Sequence, residues 1–86
     1  MEKINKMKKY EYIIFQGFIN QMGNGNIYPI HNESTLSNAK MIFNKIKNDL
    51  TGWVNKSKNG CLVTYIERVT EEGNNKIINY HEKCFK

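Results

Sequence analysis

Five apolar residues between Ser34 and Trp53 constrain this chain most. Leu36, Ala39, Phe43, Ile46 and Leu50 follow one another at steps of three, four, three and four. A helix of 3.6 residues per turn gathers that spacing on one side, whereas a strand would scatter it over two faces. Gly52 stands where a left-handed C′ residue would end such a helix. Ser34, Thr35 and Ser37 are all competent N-caps, and Ser34 is taken as the start. None of the three has a Glu or Gln three positions on to complete a capping box. A helix with a single apolar stripe must lay that stripe on something, and the flanking segments read as strands.

Residues 8–21, KKYEYIIFQGFINQ, are rich in aromatic and branched residues and predict a long first strand. Period two divides it into a face of Ile13, Phe15, Gly17 and Ile19 and a face of Tyr10, Tyr12, Ile14 and Phe18. Both faces are apolar, which suggests a strand covered on two sides. The MGNGN segment at 22–26 is a turn, because Gly and Asn accept positive φ. IYPI at 27–30 returns as a short strand, placed at a sheet edge by the missing amide proton of Pro29. Beyond the helix, Asn59-Gly60 is a further turn, with room for a short strand around Trp53–Asn55 before it. CLVTYIERVT (61–70) and KIINYHEKCF (76–85) flank EEGNN and predict a second hairpin. A five-residue loop would set Ile66 opposite Tyr80 and Leu62 opposite Cys84. A four-residue loop would set Tyr65 opposite Tyr80 and Cys61 opposite Cys84. A one-residue slip exchanges the faces, so the sequence leaves both registers open.

The fold class that follows is α+β: a single helix packed across a small, mostly antiparallel sheet in the order ββαββ, two hairpins flanking one helix. At 86 residues there is room for one core. Residues 1–7 read as a flexible basic arm and 8–86 as the domain. One helix covers one side of a sheet. The other side would then expose some of Tyr10, Tyr12, Phe18, Val63, Tyr65 and Phe85. An exposed apolar patch of that kind marks an interface, filled by a second copy in a homodimer or by a dedicated protein partner.

The formal net charge is +5. The excess lies within residues 1–10 (Lys3, Lys6, Lys8, Lys9) and around the helix (Lys40, Lys45, Lys47, Lys56, Lys58). Such an excess favours nucleic acid, an acidic protein surface or an anionic membrane, and also serves plain solubility. Among the 13 basic residues only Arg68 is not lysine. Together with the abundance of Asn and Ile, this points to an AT-rich bacterial gene or mobile element. Glu11, Gln16 and Gly17 interrupt the apolar stretch behind the arm, so it does not read as an export signal. No apolar run approaches the roughly 20 residues that span a bilayer. The expected location is the cytoplasm, without membrane attachment, and the expected state of the two cysteines is the reduced thiol. The start is read as either Met1 or Met7.

Candidate chemistry is sparse. Cys61, His81 and Cys84 have ligand types suited to zinc, or to a Cys–His nucleophile. Residues three apart on a regular strand point to opposite faces, however, which separates His81 from Cys84. His31 reads as a loop residue. Neither MGNGN nor KNG carries the Gly-Lys-Ser/Thr of a phosphate loop. No catalytic residue, metal ligand or cofactor is therefore assigned.

The lysines remain. On the helical wheel Lys40 and Lys47 lie together beside the stripe with Asn44 and Asn48, Lys45 points away from it, and Lys56 and Lys58 follow. This band of ammonium and amide groups suits phosphate contacts. In size and composition the chain is similar in kind to small proteins of phages and mobile elements, many of which occlude a host protein rather than catalyse. The leading expectation is a non-enzymatic binding protein that occludes a partner protein or nucleoprotein complex, such as a bacterial defence complex. The alternatives are direct nucleic-acid binding through the lysine-rich helix face, and a small Cys/His enzyme or metal protein.

Overall fold

A computed structural model describes residues 10–49 and 59–85. Four strands and one helix follow in the order β1 (Tyr10–Asn20), β2 (Ile27–Glu33), α1 (Leu36–Ile46), β3 (Gly60–Thr70) and β4 (Asn75–Phe85). Every strand pairing is antiparallel, and the spatial order is β2-β1-β3-β4. The two apolar strands therefore take the centre. Pro29 sits on edge strand β2, where no neighbour asks for its missing amide proton.

The expected fold class needs correction. The element order ββαββ is as read from the sequence, but the sheet is wholly rather than mostly antiparallel, and the helix packs against only part of it. Helix α1 has 11 residues, about 16 Å of length, against strands β1, β3 and β4 of 11 residues each, about 36 Å. It packs on β1, β2 and β3, while β4 meets this layer at its margin through Ile78. Most of the sheet is left without a helical cover.

The helix is also shorter than its stripe implied. Thr35, not Ser34, is the N-cap, and its Oγ1 accepts the Asn38 amide at 3.2 Å. The helix ends at Ile46, and that carbonyl, left without an α-helical donor, accepts twice from outside the ladder. Gln16 donates its Nε2 proton to it across 30 residues at 2.9 Å, and the Asp49 amide closes a tight turn on it at 3.0 Å. Gln16 also donates to Thr64 Oγ1 at 3.0 Å. A buried amide on β1, so partnered on α1 and β3, pins the helix end to the sheet. Leu50, Gly52 and the Trp53–Asn55 strand lie outside the described residues.

The core is one-sided. Ile14, Ile66, Ala39 and Phe43 form the central cluster, with Tyr12, Ile42, Ile46 and Ile78 against it. Ile14 and Ile66 are directly paired, so period two places Tyr10, Tyr12, Gln16 and Phe18 on the same side as Ile14. Burying a ring the size of Phe43 stabilises by about 2–3 kcal/mol. Phe18, paired with Leu62, lies so close to Gly60 that a Cβ there would come within 2.6 Å of its ring. The sequence suggested that β1 is covered on both faces; its other face, Ile13, Phe15, Gly17 and Ile19, has no element over it among the described residues.

The second hairpin has a four-residue turn, Glu71 to Asn74. Gly73 supplies its positive φ of 88°, and Thr70 Oγ1 accepts the Asn74 amide at 3.1 Å. A bulge follows at Ile66/Glu67, and the register that results sets Tyr65 opposite Tyr80 and Cys61 opposite Cys84. The cysteines, expected as reduced thiols, form a disulfide between Cα atoms 3.9 Å apart. Direct opposition in an antiparallel pair brings the two sulfurs within bonding reach, and that depended on the register.

Candidate functional site

The open face is organised by a row of rings. Phe15, Tyr65 and Tyr80 are in register across β1, β3 and β4, so their side chains project from the same side at neighbouring positions. Phe15 and Tyr65 stack with centroids 4.9 Å apart and an interplanar angle of 18°. Tyr65 and Tyr80 stack at 6.2 Å and 12°. Pro29 of β2 is paired with Phe15 and extends the row to the fourth strand. Ile13, Val63 and Ile77 flank it; Val63 is buried and Ile13 half-buried, while Ile77 is 50% and Tyr80 56% exposed. The disulfide lies on this face too, beyond Val63, and ties the edge strand that carries Tyr80 to the central strand that carries Tyr65.

Charge is partitioned between the two faces. By register, the ionisable carboxylates and cations on the open face of the strands are Glu11, Glu67 and Glu82, all acidic. Arg68, Lys76 and Lys83 fall on the helix side, with Glu33 at the β2 edge. The acidic field acts on the tyrosines. Partial burial, then the Glu67 charge, pushes the Tyr65 phenol above its usual value. Tyr80 is raised by desolvation first, then by the charge of Glu82 and by its hydrogen bond to Glu82 Oε1 at 3.3 Å. Both phenols therefore stay neutral at any physiological pH.

The four tyrosine and phenylalanine residues expected on an exposed sheet interface divide. Tyr65 is on the open face. Tyr10, Tyr12 and Phe18 are corrected to the helix side, since they share strand parity with Ile14. The Arg68 guanidinium sits 5.0 Å over the Tyr10 ring, Tyr12 packs on the core, and Phe18 is buried. The sequence missed Phe15 and Tyr80 because only the register shows that they share a row with Tyr65.

Of the expected basic band, Lys40, Asn44 and Lys45 are exposed on α1. Lys47 is half-buried, its Nζ 5.5 Å from the centroid of the Phe43 ring. Asn48 Oδ1 meets His81 Nε2 at 3.1 Å, so these two residues link the helix end to β4. Lys56 and Lys58 lie outside the described residues.

The Cys/His constellation is not assembled. His81 is paired with Thr64 on the helix side, while Cys61 and Cys84 are on the open face. A different group, Cys61, Glu82 and Cys84, has its ligand atoms within 4.8 Å of one another. Both sulfurs are engaged in the disulfide, so the thiolates that a soft metal requires are not on offer.

Among the described residues, no helix is long and apolar enough to cross a membrane. No family model, curated protein or solved structure matches the chain.

Proposed function

We propose that this is a non-enzymatic binding protein that occludes a partner protein, or a protein within a nucleoprotein complex, through its open sheet face. The stacked row of Phe15, Tyr65 and Tyr80 carries this reading. A flat aromatic row offers large, rigid contact area at small entropic cost, and tyrosine is enriched where binding energy concentrates. Inhibition of a bacterial defence complex by a phage or mobile-element protein is one role that needs only such a surface. The test is affinity capture from the native host with the natural chain and with a Tyr65→Ser/Tyr80→Ser variant, thermal melting serving as the folding control. A specific protein held by the first and lost by the second supports the reading. Recovery of no specific protein, or equal recovery by both, contradicts it.

A second reading, direct nucleic-acid binding, is favoured by the cations that share the helix side: Lys40 and Lys45 on α1 with Arg68, Lys76 and Lys83 on the sheet. Phosphate binding of this kind weakens steeply with salt. A Lys40→Glu/Lys45→Glu variant that shifts DNA or RNA at low salt as well as the natural chain does would remove that reading.

We also place the protein in the cytoplasm, although the Cys61–Cys84 disulfide argues for an oxidising compartment. Alkylation of free thiols in intact cells decides: labelled Cys61 and Cys84 support the cytoplasm, and protected ones oppose it.

A further inference from the structure

From the charge pattern of the open face we infer that its occupant is a cationic, extended segment of a partner protein with the alternation basic, any, apolar, any, basic. The inference rests on the docking face proposed above and specifies what docks there.

Glu67 lies two residues beyond Tyr65 along β3, and Glu82 is level with Val63, two residues to the other side of the row. At about 3.4 Å per residue these two positions stand about 14 Å apart along the strand direction, with the rings between them. An extended segment laid along the strands presents residues i, i+2 and i+4 on one face, with the outer two about 14 Å apart. A Lys or Arg at each end then meets one carboxylate, and the apolar residue between them rests on Tyr65 and its neighbours.

The same charges disfavour other occupants. A nucleic acid would bring phosphates against Glu67 and Glu82. A second copy packed face to face would bring two sets of Glu11, Glu67 and Glu82 together with no cation of the described strands between them. Residues 1–9 of this chain carry Lys3, Lys6, Lys8 and Lys9, no two of which are four apart.

The experiment is an NMR titration of the full chain, labelled with nitrogen-15, using the peptide Thr-Lys-Thr-Leu-Thr-Lys-Thr. Its counterpart with both Lys replaced by Glu, one with both replaced by Ser, and a peptide of residues 1–9 are run in parallel. The expected result is saturable shifts at Ile13, Phe15, Tyr65 and Tyr80 with the lysine peptide, and none with the Glu peptide. Affinity should fall roughly tenfold in a Glu67→Gln/Glu82→Gln variant that melts like the natural chain. Equal binding of the Ser peptide at the same amides overturns the cationic partner while leaving the docking face intact. So does tighter binding of residues 1–9. No shift with any peptide also overturns the cationic partner, and the docking face then stands or falls by the capture experiment. Shifts confined to Lys40, Lys45 and Lys83 overturn both.

Discussion

The two faces of the sheet are made from similar residues and have opposite fates. On the helix side Ile14 and Ile66 meet Ala39 and Phe43 and are lost to solvent; on the open side Phe15, Tyr65 and Tyr80 meet one another. The first arrangement stabilises the fold by removing apolar surface from water. The second leaves Tyr80 exposed and Phe15 and Tyr65 half-buried, ordered by stacking and ringed by carboxylates. The difference shows that aromatic content alone does not make a core. The parity of each residue relative to Ile14 decides which face it joins.

The largest expected effect separates the faces by stability. Phe43→Ala should lower unfolding free energy by about 3–5 kcal/mol, enough to threaten a domain this small. Tyr80→Ala, at 56% exposure, should lower it by under about 1 kcal/mol. Urea denaturation of both variants checks this, and similar losses would dissolve the distinction between core and surface.

Next comes the clasp on the open face. Cys61 and Cys84 are 23 residues apart in sequence, and a Cys61→Ser/Cys84→Ser variant should be less stable by about 3 kcal/mol on a loop-entropy account. The same urea curve measures it. Loss of the Tyr65–Tyr80 stacking signature in near-ultraviolet circular dichroism should accompany the change if the disulfide positions β4.

Gln16→Ala tests how the covered face is held. It strands the Thr64 hydroxyl and removes a partner from the Ile46 carbonyl, for an expected loss of about 1–3 kcal/mol. Amide exchange should quicken in the last turn of α1 before it quickens in β3.

The smallest effect is alkaline. In the folded state the phenols of Tyr65 and Tyr80 are raised by burial, with Glu67 and Glu82 adding to it. A raised value means the folded protein holds these protons more tightly than the unfolded chain does. Stability from this source is whole below about pH 10 and is lost as pH climbs through the raised values. Melting temperature measured from pH 9 to 12 should decline accordingly, and a Glu82→Gln variant should ionise Tyr80 at lower pH.

Much of the architecture was legible from local pattern. The apolar stripe gave the helix, MGNGN and EEGNN gave the turns, and Pro29 gave an edge. The way the helix end is held was not legible, because Gln16 meets its last carbonyl from 30 residues away and no local signal reports such a contact. The site was less legible still. Phe15, Tyr65 and Tyr80 form a row only in one of two registers that the hairpin sequence permits, and the same register creates the disulfide. Lysines invite attention in a sequence because charge is visible there, whereas a row assembled from three strands is not.

The most direct test of the central claim places a photoreactive residue on each face of the protein, one at Ile77 on the open side and one at Met41 on the helix, each at least 50% exposed. On illumination in the native host, a specific protein should be joined to the Ile77 position and not to Met41. A specific partner joined to Met41 alone, or a nucleic acid in place of a protein, would contradict the claim that this chain acts through its open aromatic face.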